Sequence, residues 1–118
     1  MKAEILNIGT ELLLGDIVNT HHSFIARELA QFGIDTYHQS CVGDNQQRIK
    51  EAVDLAVSRS DIIITTGGLG PTQDDITKQC VADALGKELV FDEQSAQRIR
   101  DYFKRLGRDF PDTNYNQA

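Results

Sequence analysis

Three stretches rich in strand-forming residues, Ala3 to Ile8, Ile34 to Val42 and Asp61 to Thr66, are separated by segments whose apolar residues recur every three or four positions. That alternation restricts the chain to βαβ units, whose right-handed crossovers build a mainly parallel sheet with helices on its faces. The expected fold class is therefore α/β.

Between the first two strands Ile25, Leu29 and Phe32 share one helical face, with Asn19 or Thr20 as N-cap and Gly33 as the stop, which predicts a helix over about 21–32. Ile49, Val53, Ala56 and Val57 form a second such face, opened by Asp44 or Asn45. Beyond the third strand Ile76, Cys80, Val81, Ala84 and Leu85 repeat at helical spacing before Gly86. Glu88 to Phe91 reads as a short strand. Asp92 then caps a helix carrying Ala96, Ile99, Phe103 and Leu106, and the polar tail from Arg108 to Ala118 has no clear period.

At 118 residues with 40% hydrophobic content, the chain is expected to form one domain, 1–118. A net charge of -6 argues against binding the phosphate backbone of nucleic acid, which needs clustered Lys and Arg, and favours a small-molecule partner. The longest apolar run is three residues, far short of the ~20 that span a bilayer. Met1 to Leu6 shows no secretion signal. A soluble, cytoplasmic protein without membrane contact is expected. Cys41 and Cys80 form no C-x-x-C pair and are expected to be reduced core residues.

The third strand carries the chemistry. Ile62-Ile63-Ile64-Thr65 suits a strand covered on both faces, and it runs into Thr66-Gly67-Gly68-Leu69-Gly70-Pro71, where glycines permit close ligand approach. No Lys or Arg follows until Lys78, which excludes a Walker A loop, and no third glycine completes a dinucleotide fingerprint. Asp74 and Asp75 follow, either complementing a helix dipole or holding a divalent cation against phosphates. A plain turn capped by aspartates is the alternative.

In a parallel sheet Gly9-Thr10-Glu11, Gly43-Asp44-Asn45 and Gly67 to Gly70 emerge at one carboxyl edge, where open α/β sheets bind ligands. Glu11, Asp44, Asp74 and Asp75 would repel a phosphate unless a hard cation such as Mg²⁺ stood between. Taken singly, Asp44 reads first as an N-cap and Glu11 first as a solvated loop residue, and it is their shared location that favours a site. Leu12 to Val18 forms a long apolar connection that folds over the ligand edge, makes a subunit contact or packs on the first helix. His21 and His22 are adjacent and lack the spacing of a zinc helix.

Together, Gly9-Thr10-Glu11-Leu12-Leu13-Leu14-Gly15-Asp16-Ile17-Val18-Asn19-Thr20 and Thr65-Thr66-Gly67-Gly68-Leu69-Gly70-Pro71-Thr72-Gln73-Asp74-Asp75 resemble the N-terminal domain of the competence/damage-inducible CinA family. The resemblance covers nearly the whole chain and extends to the molybdopterin-binding-like superfamily of MogA, MoaB and MoeA. It implies a three-layer α/β/α fold and a metal-dependent pyrophosphatase splitting ADP-ribose into AMP and ribose 5-phosphate. Carried over by position, Asp75, Asp44 and Glu11 are the catalytic candidates. Gly9, Thr10, Asn19, Thr66, Gly67, Gly68, Gly70 and Thr72 would hold the nucleotide diphosphate, Thr66 as a hydroxyl donor. Asp74 and Asp75 would hold Mg²⁺, Mn²⁺ or Co²⁺, and a homo-oligomer, favoured as a dimer, is expected. The competing expectations are a binding module for molybdopterin or its adenylated form, and a non-catalytic dimerisation domain. CinA-type domains continue beyond Ala118 into a further strand and a deamidase domain, so the resemblance also implies a domain cut short at its C-terminal end.

Overall fold

The computed structural model describes residues 1–16 and 18–118. Ile17, part of the apolar connection read above, lies outside the described residues. Strand β1 (Lys2–Ile8) leads into a one-turn helix α1 (Thr10–Leu14), then α2 (His21–Gln31), β2 (Asp35–Val42), α3 (Gln46–Arg59) and β3 (Ile62–Thr66). Helices α4 (Thr77–Ala84) and α5 (Glu93–Arg105) and a terminal 3₁₀ helix (Asp112–Gln117) follow.

The sheet is parallel with order β2-β1-β3. Lys2 pairs with Asp35 and Ile8 with Val42, with a register shift between Ala3 and Glu4, while Ala3 to Asn7 pair with Ile62 to Thr66. Ala3 to Ile8 are all buried, as a central strand requires. Leu6 and Ile8 join Ile49 and Val53 of α3 and Cys80 of α4 in the aliphatic core.

Two buried polar groups in β1 have partners. The Glu4 carboxylate accepts two bonds from the Arg59 guanidinium, 2.9 Å from Nε and 2.6 Å from Nη2, and a third from Ser60 at 3.1 Å. These hold its carboxyl below the usual carboxylate range against the opposing effect of burial. Asn7, with no exposed surface, bonds to both neighbouring strands.

Several expectations change. β3 was expected to be covered on both faces, yet all five residues are half-exposed, because β1 is its one strand neighbour among the described residues. Part of the expected apolar loop is helical: Thr10–Leu14 winds one turn and stops at Gly15, whose φ of 78° is the left-handed stop. Leu13, Leu14 and Val18 are exposed. Glu88 to Phe91 forms no strand: among the described residues it pairs with none of β1, β2 and β3, and an unpaired segment completes no ladder. The tail is ordered over 112–117, opened by Pro111 with φ preset at -70°. Cys80 is buried but Cys41, on an edge strand, is exposed. Phe32, Val57, Leu85 and Leu106 are exposed, lying at or beyond the margin of their helical faces.

Candidate functional site at the carboxyl edge

With β1 central, the chain crosses from β1 to β2 on one side and from β2 over β1 to β3 on the other. The carboxyl end of β1 is therefore the point where the connections diverge, the place where open α/β sheets leave a crevice. The three expected loops do meet there. A Cβ on Gly67 would overlap the Ile8 carbonyl oxygen, so the third loop rests directly on the end of β1. Gly43 sits under the Thr10 hydroxyl and the Leu13 side chain.

Asp44 and Thr10 bind reciprocally: the Thr10 N–H donates to the Asp44 carboxylate at 3.0 Å and the Asp44 N–H donates to the Thr10 hydroxyl at 3.1 Å. Asp44 thus serves the first N–H of α1, across the sheet edge, while Asn45 caps α3 by accepting from the Arg48 N–H at 3.1 Å. Gly9 is buried, and its N–H donates to the Val42 carbonyl at 2.8 Å.

The glycine turn is pinned from both ends. Gly67 and Gly68 have φ of 87° and 61°, and a Cβ on Gly68 would overlap the Thr77 hydroxyl. That hydroxyl, wholly buried, donates to the Gly67 carbonyl at 2.8 Å, and the Thr77 N–H donates to Gly68 at 3.2 Å. Asp75 turns back on the loop: one carboxylate oxygen accepts from the Thr72 hydroxyl at 2.6 Å and the Thr72 N–H at 3.0 Å. The Thr72 hydroxyl, then the Gly70 and Thr72 N–H groups, hold its carboxyl below the usual range. Asp75 is therefore ionised at neutral pH and organises Gly70 to Thr72. Asp74 is exposed beside it.

Among the described residues, none of the backbone hydrogen bonds around the turn is donated by Gly67, Gly68 or Leu69. Two cavities flank the turn. One, of about 190 Å³, is lined by Glu11, Asn19, His21, Thr66 and Gly67 with Ile8, Leu12, Val18 and Thr20. The other, of about 440 Å³, is lined by Thr72, Asp75, Lys78, Phe91 and Tyr115 among others. Of the expected site residues, Glu11, Asn19, Thr66 and Gly67 line the smaller cavity and Thr72 and Asp75 the larger, while Gly9, Thr10, Asp44, Gly68, Gly70 and Asp74 line neither. Asn19 faces the smaller cavity while its carbonyl accepts from His22 Nδ1 at 2.8 Å.

Sequence reasoning missed Asn7, His21, Lys78 and the tail. Asn7 accepts the Thr66 hydroxyl at 3.0 Å, so the reading of Thr66 as a donor to ligand is corrected: its proton is already spent. A polar residue in a strand otherwise reading as buried was the available signal. Lys78, the lone cation among the residues lining either cavity, donates to the Asn116 carbonyl at 2.6 Å. Asn116 and Gln117 in turn donate to the carbonyls of Pro71 at 3.0 Å and Leu69 at 3.2 Å. Among the described residues, no three His, Cys, Asp or Glu side chains gather as a metal-holding group, and no helix is long and apolar enough to cross a membrane.

Residues 4–114 match the family model described as "Probable molybdopterin binding domain". The chain is 56% identical to a competence-damage inducible protein of Clostridium novyi over 118 residues, all of this chain and 28% of that protein. It is 52% identical to the Bacillus cereus protein of that name, again over its full length and 29% of the relative. The chain therefore spans under a third of the curated relatives it matches. The crystal structure of the protein CinA from Thermoplasma acidophilum superposes with a TM-score of 0.84 at 32% identity, covering 97% of this chain and 66% of that one. The molybdopterin biosynthesis enzyme MoaB from Thermus thermophilus superposes at 0.70 with 23% identity, over 98% of this chain and 70% of that one, a likeness of fold.

Proposed function

Because this chain belongs to the family of molybdopterin-binding-type domains found in competence-damage inducible proteins, we propose that it binds a phosphorylated pterin of the molybdopterin type at the carboxyl edge of β1 and β3. The observation that carries this reading is the glycine turn. Its N–H groups at Gly67, Gly68 and Leu69 donate to no backbone carbonyl of the described residues, and the turn stands between a small, partly apolar chamber and a larger one containing Lys78. Backbone N–H groups in such a turn hold phosphate oxygens without a Walker lysine. The smaller chamber, with Ile8 and Leu12 beside Glu11 and Thr66, suits a flat ring with polar edges.

The acidic pair bears on a metal. Asp74 and Asp75 are too few to cage an ion, but Mg²⁺ is commonly held by one or two carboxylates together with ligand phosphates and water. They fit a hard divalent ion in that shared manner, and when bound it would neutralise phosphate charge. Asp75 would contribute while still holding the loop through Thr72.

A second reading, hydrolysis of ADP-ribose, is favoured by one observation: a carboxylate kept ionised by Thr72 and Gly70 beside an anion-accepting turn. The test is paired. Titration of the chain with molybdopterin, followed by pterin fluorescence, is expected to show saturable binding that Gly68→Val abolishes, since its side chain would collide with Thr77. AMP release from ADP-ribose is followed with Mg²⁺, Mn²⁺ and Co²⁺ in turn. Metal-dependent turnover lost in Asp75→Asn, without pterin binding, would replace the binding reading with the hydrolase.

A further inference from the structure

We infer that Asn7, buried and outside the lining of the smaller cavity, sets that cavity's hydrogen-bonding polarity by fixing the Thr66 hydroxyl as an acceptor. The inference rests on the ligand site proposed above and specifies which part of the ligand lies there. Asn7 has no exposed surface, so its amide is confined to two partners. One end lies 3.2 Å from the Ser40 carbonyl oxygen, which only accepts, so that end must be the NH₂ group. The other end is then the amide oxygen, also an acceptor, and it lies 3.0 Å from the Thr66 hydroxyl. The hydroxyl has one proton and it goes to Asn7. What the hydroxyl retains, on a residue that lines the cavity, is an acceptor lone pair.

Glu11 lines the same cavity and its carboxylate also only accepts, while no Lys or Arg is among the residues around it. Beside the donors that Asn19, His21 and the Gly67 N–H can offer, these two acceptors give the cavity a wall that takes a donor-bearing group rather than a phosphate: a ring N–H, an exocyclic amine or a sugar hydroxyl. The phosphate is left to the glycine turn and the chamber of Lys78. Asn7 is accordingly a positioning residue for specificity, reaching all three strands through Ser40 and Thr66.

The test has two arms. In the ligand-free chain, NMR is expected to show a slowly exchanging Thr66 hydroxyl proton with a nuclear Overhauser contact to Asn7. A hydroxyl exchanging at the bulk rate overturns the proposal. In the second arm molybdopterin is titrated into wild type, Asn7→Ala, Asn7→Asp, Thr66→Val and the Asn7→Ala/Thr66→Val double variant. Asn7→Ala and Thr66→Val should each weaken binding on the order of tenfold, and the double variant no further, as expected for one shared hydrogen bond. Asn7→Asp, whose protonated carboxyl preserves both bonds, should bind within about twofold of wild type even though its midpoint of unfolding falls at neutral pH. Equal loss in Asn7→Ala and Asn7→Asp, or additive losses in the double variant, means Asn7 acts through stability alone and overturns the proposal. If wild type does not bind molybdopterin, the ligand reading fails by itself and the NMR arm still decides the polarity of Thr66.

Discussion

Helices α2 and α3 read alike as amphipathic segments, each the crossover of a βαβ unit, yet they end in different surroundings. α3 buries Ile49, Val53 and Ala56 completely against β1 and α4. α2 buries no residue completely; it packs mainly against β2, with Phe24 exposed along it and Phe32 exposed at its end. The apolar stripe is equal, and what differs is the neighbour. α3 shares its core with a second helix, whereas α2 lies over an edge strand. Amphipathicity specifies that a helix has an inner face, and the topology decides how much that face stabilises.

The contrast is open to measurement. The largest expected effect is in the α3 core, where Ile49→Ala should lower unfolding stability by about 3 kcal/mol through lost transfer energy and a residual cavity. Ile25→Ala on α2 should lower it by less than about 1 kcal/mol, because the half-buried side chain leaves little transfer energy to lose. Matching urea midpoints for the two variants would break the comparison. Next is Glu4→Ala, on the α3 side, expected to lower stability by roughly 2 kcal/mol through loss of its charge-assisted hydrogen bonds, since the Arg59 left unpaired still reaches solvent. Because the folded Glu4 carboxyl titrates below its unfolded counterpart, its contribution is fully present above the usual carboxylate pKa near ~4.3 and is lost as pH falls through the folded value. Wild-type stability should therefore fall more steeply than that of Glu4→Gln as pH drops below about 5. A smaller effect comes from the caps: Asn45→Ala should cost about 1 kcal/mol, while Thr20→Ala, whose side chain makes no capping bond, should be nearly silent. Smallest of all, Gln117→Ala should leave the midpoint unchanged and only speed amide exchange between Leu69 and Thr72, whose carbonyl anchor it removes.

Local pattern announced the three strands, the Asp92 cap, the α3 cap as one of Asp44 and Asn45, and the convergence of three loops, because each follows from spacing along a few neighbouring residues. Neighbourhood was illegible. The half-exposure of β3 depends on which strand flanks it, the exposure of Cys41 on β2 being an edge, and the tail's order on carbonyls of Leu69 and Pro71 about 45 residues earlier in the chain. Within the site, Asp44 could be read as a cap, but its partner is the first N–H of α1 rather than a group of its own helix. Asp75 could be picked out, while its use of Thr72 and Gly70 to shape the turn could not. The short helix α1 carried the glycine stop that was available to be read, but its three leucines suggested a loop seeking cover.

The position of β1 governs the order of assembly. The first strand made is the central one, and its outer partners are distant in the chain: Asn7 meets Ser40 33 residues away and Thr66 59 residues away. Loop closure of that span must be met before the pairing gives anything back, so β1 cannot become native until α3 and β3 exist. The slow step of folding is then expected to be the docking of β3, and the carboxyl edge, which joins the ends of β1 and β3, is among the last features to form.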